Sequence, residues 1–183
     1  MIETALTIVG LGISAATLAA ILWSIARPTQ RLWPPARYSS LTPILVWVPT
    51  FSLFGALLAL GILAWGDLAL PQWLRYGVGI PLIVIGNVVV WSAVAGFGIH
   101  KTGGATGGLQ TSGLYRFSRN PQYVADIGMI LGWMMLSAAP LAFLVGVSAI
   151  IVLVAAPFSE EPWLRAHYGS DFDRYANRVR RFL

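Results

Sequence analysis

Long apolar segments alternate with short polar ones along this chain. Segments from Glu3 to Ala26, from Pro43 to Trp65 and from Tyr76 to Ile99 contain very few charged residues. At a rise of about 1.5 Å per residue, each is long enough to cross a hydrocarbon core of about 30 Å as an α-helix. The pattern therefore predicts three transmembrane helices in the first part of the chain.

Two shorter apolar segments follow, from Val124 to Ser137 and from Leu141 to Pro157. Only Ala138-Ala139-Pro140 separates them, which leaves room for a tight turn. Each is shorter than the roughly 20 residues of a comfortable span. We expect a helical hairpin that crosses the bilayer or stops short of the far surface. Together with the earlier spans, it predicts an all-α integral membrane protein with about five transmembrane helices.

The last part of the chain is polar and basic. Ser159 is suited to cap a helix that has Glu160 and Glu161 in its first turn. Gly169 is expected to end that helix and Ser170 to start another. In the second helix, apolar positions recur at helical spacing beside arginines: Phe172, Tyr175, Val179, Arg174, Arg178, Arg180 and Arg181. This pattern predicts a short amphipathic helix at the membrane surface.

Composition agrees with a membrane protein, since 57% of the residues are hydrophobic and only 10% are charged. Soluble domains carry roughly a quarter charged residues. Cysteine is absent, which excludes disulfides, thiolate metal sites and a cysteine nucleophile. The two histidines, His100 and His167, lie far apart with no second ligand at metal spacing, so no metal site is expected.

The net charge of +5 comes largely from the segments between apolar spans. The basic residues of the first and third connections are Arg27, Arg31, Arg37, Lys101, Arg116 and Arg119. By the positive-inside rule, both connections and the C-terminus should be cytoplasmic and the N-terminus outside, as in a bacterial or archaeal inner membrane. Anionic lipid headgroups explain this charge, and no nucleic-acid partner is expected.

Two polar clusters flank the predicted hairpin. The first contains His100, Arg116, Arg119, Asn120 and Tyr123, and the second contains Glu160, Glu161, Tyr168 and Tyr175. Because a hairpin returns the chain to the face where it started, the clusters can converge on one site at the membrane surface. The alternative is an interfacial belt of ion pairs without catalytic function.

Two polar residues fall inside apolar segments. Asp126 lies one turn into the hairpin, and an ionisable residue there is a candidate functional group. Its position near a helix N-terminus and close to Arg119 offers a structural explanation instead. Asn87, at mid-depth of the third span, is expected to bond a neighbouring helix rather than a ligand.

Three motifs occur in order towards the C-terminus: Gly113-x-Tyr115 with Arg119-Asn120-Pro121-x-Tyr123, then Glu160-Glu161-x-x-Leu164, then Tyr168-Gly169 with Tyr175 and a basic end. From Gly113 onward the chain resembles the isoprenylcysteine carboxyl methyltransferase and phospholipid methyltransferase superfamily. The family has histidine where this chain has Asn120, which offers hydrogen bonds but does not titrate near neutral pH.

The resemblance implies an integral-membrane methyltransferase of one domain, with three spans in residues 1–112 and a core in residues 113–183 that binds S-adenosylmethionine. The implied cofactor-binding residues are His100, Tyr115, Arg116, Arg119, Asn120, Pro121, Tyr123, Glu160, Glu161 and Tyr175. Glu161, Tyr168 and Arg178 are the implied catalytic residues, and His167 is a further candidate base. The acceptor is expected to be lipophilic, an isoprenylcysteine-type carboxylate or a lipid headgroup, entering from the surrounding membrane lipids.

Two alternatives remain open. The residues Arg119-x-Pro121-x-Tyr123-x-x-Asp126 also resemble a signature of membrane sterol reductases, which would imply NADPH as the cofactor. The second alternative is a non-catalytic membrane scaffold, in which the motifs have only a structural role. The Glu160-Glu161-x-x-Leu164 segment favours the methyltransferase.

Overall fold

The structure, a computed structural model, describes residues 1–35, 39–97 and 108–183. Over these residues the chain is helical and contains no strand. The α-helices are α1 (Ile2–Ala26), α2 (Thr42–Leu63), α3 (Ile80–Phe97), α4 (Pro121–Ser137), α5 (Pro140–Tyr168) and α6 (Ser170–Ala176). A π-helical segment, Trp73–Gly79, leads into α3, and short 3₁₀ turns lie at Pro28–Gln30 and Gly113–Arg116. The predicted residues Arg37, His100 and Lys101 lie outside the described ranges.

The all-α membrane class is confirmed. In the described part of the chain, four helices are long and apolar enough to cross a membrane: Ile2–Ala26, Thr42–Leu63, Trp73–Ala93 and Pro140–Tyr168. With 17 residues, α4 is shorter than these spans. Successive long helices run in opposite directions. The end of the bundle where α1 and α5 finish and α2 and α4 begin is called the basic face below.

The prediction of a separate helix capped by Ser159 was wrong. Helix α5 continues for 29 residues through Pro157 and Pro162 to Tyr168, so it is also longer than the predicted apolar segment. Ser159 is buried, and its hydroxyl donates to the Ala156 carbonyl within the same helix. Buried positions run from Ala142 to Glu161, and this continuous packing outweighs the local proline signal. Gly169 does end α5, at a φ of +54°.

Helix α4 packs closely against α3 and the π-helical segment before it because glycines lie at the contact. A Cβ atom built on Gly132 would lie 2.6 Å from the Gly79 carbonyl oxygen. One built on Gly86 would lie 2.8 Å from the Ala125 carbonyl oxygen. Small residues let membrane helices gain van der Waals contact where apolar burial offers little driving force. Asn87 does not bridge helices as expected, because its side chain is exposed and donates to Ile83 of its own helix, at 2.9 Å.

The turn between α4 and α5 closes the opposite end of the bundle, as predicted. Ala138 adopts a left-handed conformation with a φ of +51°, and both Ala138 and Ala139 are fully buried. The Gly66 and Leu68 amides donate to the carbonyls of Ser137 and Ala138, at 2.7 and 2.8 Å. The Arg75 guanidinium donates to the carbonyl of Leu136, at 3.0 Å. These bonds satisfy the last carbonyls of α4 and fix its position along the bundle.

Candidate functional site

Glu161 holds two arginines at the basic face. The Arg119 Nη2 atom lies 2.7 Å from Glu161 Oε1, and the Arg181 Nη2 atom lies 2.7 Å from Glu161 Oε2. The Glu161 and Arg119 side chains are only 10% and 12% exposed. The hydrogen bond to Glu161 raises the pKa of Arg181, so this arginine stays charged. Both Glu161 oxygens are therefore occupied by guanidinium groups.

Arg119 also binds the C-terminal tail. Its Nη1 atom donates to the carbonyls of Ala176 and Val179, at 2.9 and 2.8 Å. The neighbouring Asn120 amide donates to the Arg181 carbonyl, at 2.9 Å. We call Arg119, Glu161, Arg181 and these tail carbonyls the tail clamp. It ties the beginning of α4 and the end of α5 to the last residues of the chain.

Two tyrosines pack beside the tail clamp. The Tyr175 hydroxyl donates to the Tyr115 carbonyl, at 2.8 Å. Burial raises the pKa of Tyr175 to about 12, an effect increased by Tyr115 and opposed by Arg119. Burial and the nearby Glu160 charge raise the pKa of Tyr115 to about 12. Both phenols therefore stay protonated at neutral pH, and the Tyr175 hydroxyl acts as a hydrogen-bond donor rather than a base.

Glu160 forms hydrogen bonds with different partners from those of the adjacent Glu161. Its Oε1 atom accepts hydrogen bonds from the Trp33 indole, at 2.7 Å, and from the Tyr123 hydroxyl. Trp33 is itself positioned by α1, since its backbone amide donates to the Ser24 hydroxyl at 2.9 Å. Glu160 thus joins α5 to α4 and to the segment after α1. No arginine forms an ion pair with Glu160 among the described residues.

Trp33 and Tyr123 also line a cavity of about 320 Å³ between the membrane helices. We call it the membrane cavity. Helices α1 to α5 all contribute to its mostly apolar wall. Because both residues also bond Glu160, this carboxylate lies where the cavity meets the basic face. An apolar cavity with a few polar groups is the usual form of a small-molecule site.

Two buried donors in the wall of the membrane cavity lack acceptors, and an acidic side chain lines the same wall. The Trp47 Nε1 and Gln122 Nε2 atoms are buried and have no hydrogen-bond acceptor. Asp126 lines the same cavity, is partly exposed, and interacts electrostatically with Tyr123. A buried polar group without a partner costs about 1–3 kcal/mol, so such groups are uncommon in folded proteins. The position of both donors in one cavity makes this cavity a candidate ligand site.

The structure brings most of the predicted site residues together. Arg119, Asn120, Glu161, Tyr115 and Tyr175 belong to the tail clamp or contact it. Pro121 is buried at the first position of α4, where a proline needs no amide donor. Tyr123 lines the membrane cavity, and Glu160 accepts hydrogen bonds from this tyrosine and from Trp33 without lining the cavity itself. Arg116 is exposed, and no ion pair among the described residues engages it.

Three other predicted residues lie away from the membrane cavity. Tyr168 packs edge-on against Trp163 and His167 in the last turn of α5, with ring centroids 6.4 and 4.7 Å away. Arg178 is exposed and donates to the Arg174 carbonyl at 3.1 Å. None of Tyr168, His167 and Arg178 lines the cavity. His100 falls outside the described residues.

Sequence reasoning missed Trp33, Trp47 and Gln122. Gln122 and Asp126 are four residues apart and so share one face of α4, a spacing that indicates a polar stripe on an otherwise apolar helix. That signal was available from the sequence. Trp33 and Trp47 gave none, because their roles depend on contacts with helices distant in the chain.

Fold and site together define an integral membrane protein whose polar residues meet an apolar cavity at one face of a helical bundle. A family profile described as phospholipid methyltransferase matches residues 74–171, more than half of the chain. The chain belongs to this family.

A steroid 5-alpha-reductase, DET2 of tomato (Solanum lycopersicum), is 29% identical over 114 residues. That alignment covers 61% of this chain but only 43% of the reductase, so the chain spans less than half of the relative's length. No solved structure matches the chain.

Proposed function

We propose that this protein transfers a methyl group from S-adenosylmethionine to a lipophilic acceptor held among its membrane helices. The observation that carries the proposal is the position of Glu160, a carboxylate between the basic face and the membrane cavity. A polar cofactor at the face and an apolar acceptor in the cavity would meet there. The surplus of arginine supports a cytoplasmic basic face, where the cofactor is available.

The residues at this junction fit the charged groups of the cofactor. The Glu160 carboxylate can hold the ammonium group of the methionine moiety through a charge-assisted hydrogen bond. We propose Arg116 as the partner of its carboxylate, because this exposed arginine follows Tyr115, whose phenol interacts electrostatically with Glu160, and forms no ion pair among the described residues. The rings of Trp33 and Tyr123 can attract the sulfonium through cation–π interaction. When bound, the cofactor supplies an electrophilic methyl group.

The residues of the chain mainly position the reactants. In an in-line displacement, orientation supplies much of the acceleration. We assign Arg119 and Glu161 to positioning the Glu160 region rather than to contact with the cofactor, because each is engaged by the tail clamp. For an acceptor that must lose a proton, Asp126 is a better candidate base than Glu161, since it lines the cavity and has no arginine partner.

NADPH-dependent reduction is the second candidate function. It is favoured by the similarity to the tomato steroid 5-alpha-reductase, which includes 29% identity over 114 residues. The same junction of polar face and apolar cavity would then hold a nicotinamide beside a lipophilic substrate. The family match over residues 74–171 favours methyl transfer.

Ligand-induced stabilisation distinguishes methyl transfer from NADPH-dependent reduction. A ligand that binds only the folded protein at a hundred times its dissociation constant adds about 2.7 kcal/mol to the free energy of unfolding. We expect S-adenosylhomocysteine to raise the thermal midpoint of the purified protein and NADPH to leave it unchanged. A shift with NADPH alone would favour the reductase. With no shift from either ligand, both catalytic proposals would fail.

A further inference from the structure

The wall of the membrane cavity carries two unpartnered hydrogen-bond donors and an acidic side chain that can accept a hydrogen bond. The unpartnered donors are the Trp47 indole nitrogen on α2 and the Gln122 amide nitrogen on α4, and the acceptor is the Asp126 carboxylate. We infer that this cavity binds a compact lipophilic alcohol, whose oxygen accepts from Trp47 and Gln122 and whose hydroxyl proton is donated to Asp126. That this alcohol is the methyl acceptor rests on the proposed function.

The chemistry of the three groups selects a hydroxyl. A hydroxyl oxygen offers one donor and two acceptor lone pairs, which matches two N–H groups and one carboxylate. A hydrocarbon would leave all three groups unsatisfied, and an ether would leave Asp126 without a donor. The rest of the wall is mostly apolar, so the body of the ligand is expected to be hydrocarbon.

The size of the cavity limits the ligand. Small-molecule pockets span roughly 300–1,000 Å³, so this cavity of about 320 Å³ lies at the small end. A compact isoprenoid-sized alcohol suits that volume better than a whole phospholipid. Its polar end is expected one turn below the basic face, since Gln122 and Asp126 are in the first turns of α4.

A structural role for these donors is poorly supported. Polar groups inside membrane bundles usually bond a neighbouring helix or their own backbone. In this protein, the Ser148 and Ser14 hydroxyls bond each other at 3.0 Å, and the Trp133 indole donates to the Leu57 carbonyl at 2.8 Å. Trp47 and Gln122 do neither. Without a ligand, an apolar residue of similar shape at either position would cost the fold nothing.

Binding of farnesol tests the inference. We would measure saturable binding of radiolabelled farnesol to the full chain in lipid nanodiscs, with unlabelled farnesol, farnesyl methyl ether and farnesene as competitors. Farnesol is expected to compete about tenfold more strongly than the ether, which corresponds to one hydrogen bond, and the ether more strongly than farnesene. Equal competition by the alcohol and the hydrocarbon would overturn the inference, and equal competition by the alcohol and the ether would overturn the role of Asp126.

Two substitutions locate the site. Trp47→Phe and Gln122→Leu each remove one donor and are expected to weaken farnesol binding by about tenfold while leaving farnesene competition unchanged. Trp91→Phe and Gln72→Leu are matched controls, because both residues are exposed and neither lines the cavity. If the controls weaken farnesol binding as much as the cavity variants, the assigned site is wrong.

Stability without ligand distinguishes a binding role from a structural one. Trp47→Phe and Gln122→Leu should keep or raise the thermal midpoint of the ligand-free protein, because each removes an unsatisfied buried donor. A clear fall in both midpoints would indicate structural residues and contradict the inference. The two variants lie on different helices, so misfolding of one leaves the other informative.

The same samples separate this inference from the proposed function. A midpoint shift with S-adenosylhomocysteine but no specific farnesol binding would overturn the alcohol site and leave methyl transfer standing. Specific farnesol binding without an S-adenosylhomocysteine shift would support the alcohol site and count against the methyltransferase.

Discussion

The tail clamp and the membrane cavity lie next to each other, yet their polar side chains differ in how far their hydrogen-bonding groups are satisfied. In the tail clamp, Arg119 and Glu161 are almost fully engaged by each other, by Arg181 and by tail carbonyls. In the membrane cavity, Trp47 and Gln122 carry buried donors without acceptors. From this difference we infer that the motif arginine, Arg119, and the second acidic residue, Glu161, stabilise the fold, and we propose that Trp47 and Gln122 belong to a ligand site.

This contrast follows a general trade between stability and function. A fully satisfied buried network rigidifies its surroundings, whereas an unsatisfied one destabilises the free protein and is retained where binding needs it. Glu160 lies between the two regions, because it has hydrogen-bond donors but no ion-pair partner among the described residues. We therefore propose that Glu160, rather than the tail clamp, recognises the charged groups of the proposed cofactor.

The largest effect is expected for Arg119→Ala. Breaking a buried ion pair costs about 3–5 kcal/mol of unfolding free energy. Arg181 still pairs with Glu161 in this variant, so we expect a loss near the lower end of that range, to which the Ala176 and Val179 carbonyls contribute because they lose their donor. The thermal midpoint in detergent should fall sharply. Arg174→Ala is the matched control, since Arg174 pairs with Asp171 at an exposed site where a pair contributes about 0–1 kcal/mol. A stable Arg119→Ala protein that had only lost S-adenosylhomocysteine binding would make Arg119 a cofactor ligand instead.

A smaller effect is expected for Gly132→Ala, which disturbs the docking of α4 against α3. The new Cβ would lie 2.6 Å from the Gly79 carbonyl oxygen, so the backbones must separate. Overpacking of this kind costs about 1–3 kcal/mol. Gly128→Ala, on the same helix, meets no atom within 4 Å and serves as the control. Equal thermal midpoints for the two variants would show that this contact does not fix α4, on which both regions depend.

The smallest effect is expected for Asn120→His. Asn120 contributes one hydrogen bond to the Arg181 carbonyl, at 2.9 Å, and an imidazole N–H can replace that donor. We expect a change of less than about 1 kcal/mol in stability and unchanged S-adenosylhomocysteine binding. Asn120→Leu removes the donor and should lower the thermal midpoint further. Loss of cofactor binding in the histidine variant would contradict the alignment of this chain with the family motif.

The hydropathy pattern predicted the spans because membrane helices must satisfy their backbones internally over a fixed thickness. It placed the first span from Glu3 and the second from Pro43, each within one residue of the observed start. It failed at Ser159, where capping and proline signals favoured a break. Packing along α5 outweighed those signals, and local propensity does not contain that information.

The candidate site was only partly predictable. The motifs indicated Glu160 and Glu161 as one acidic pair, but adjacent helical positions differ by about 100° around the axis, and the structure separates their partners. Asp126 was identified as an ionisable residue in an apolar segment. Trp47 could not be identified, because its missing acceptor is a property of helix packing rather than of sequence spacing.

A pair of isosteric variants at adjacent positions tests the central claim most directly. Thermal midpoints of Glu160→Gln and Glu161→Gln would be measured with and without S-adenosylhomocysteine. We predict that Glu161→Gln lowers the ligand-free midpoint, because two arginines lose their counter-ion. Glu160→Gln should keep that midpoint and lose the ligand-induced shift. The reverse result, a destabilised Glu160→Gln and a stable Glu161→Gln that no longer responds to the ligand, would contradict the division between scaffold and ligand site.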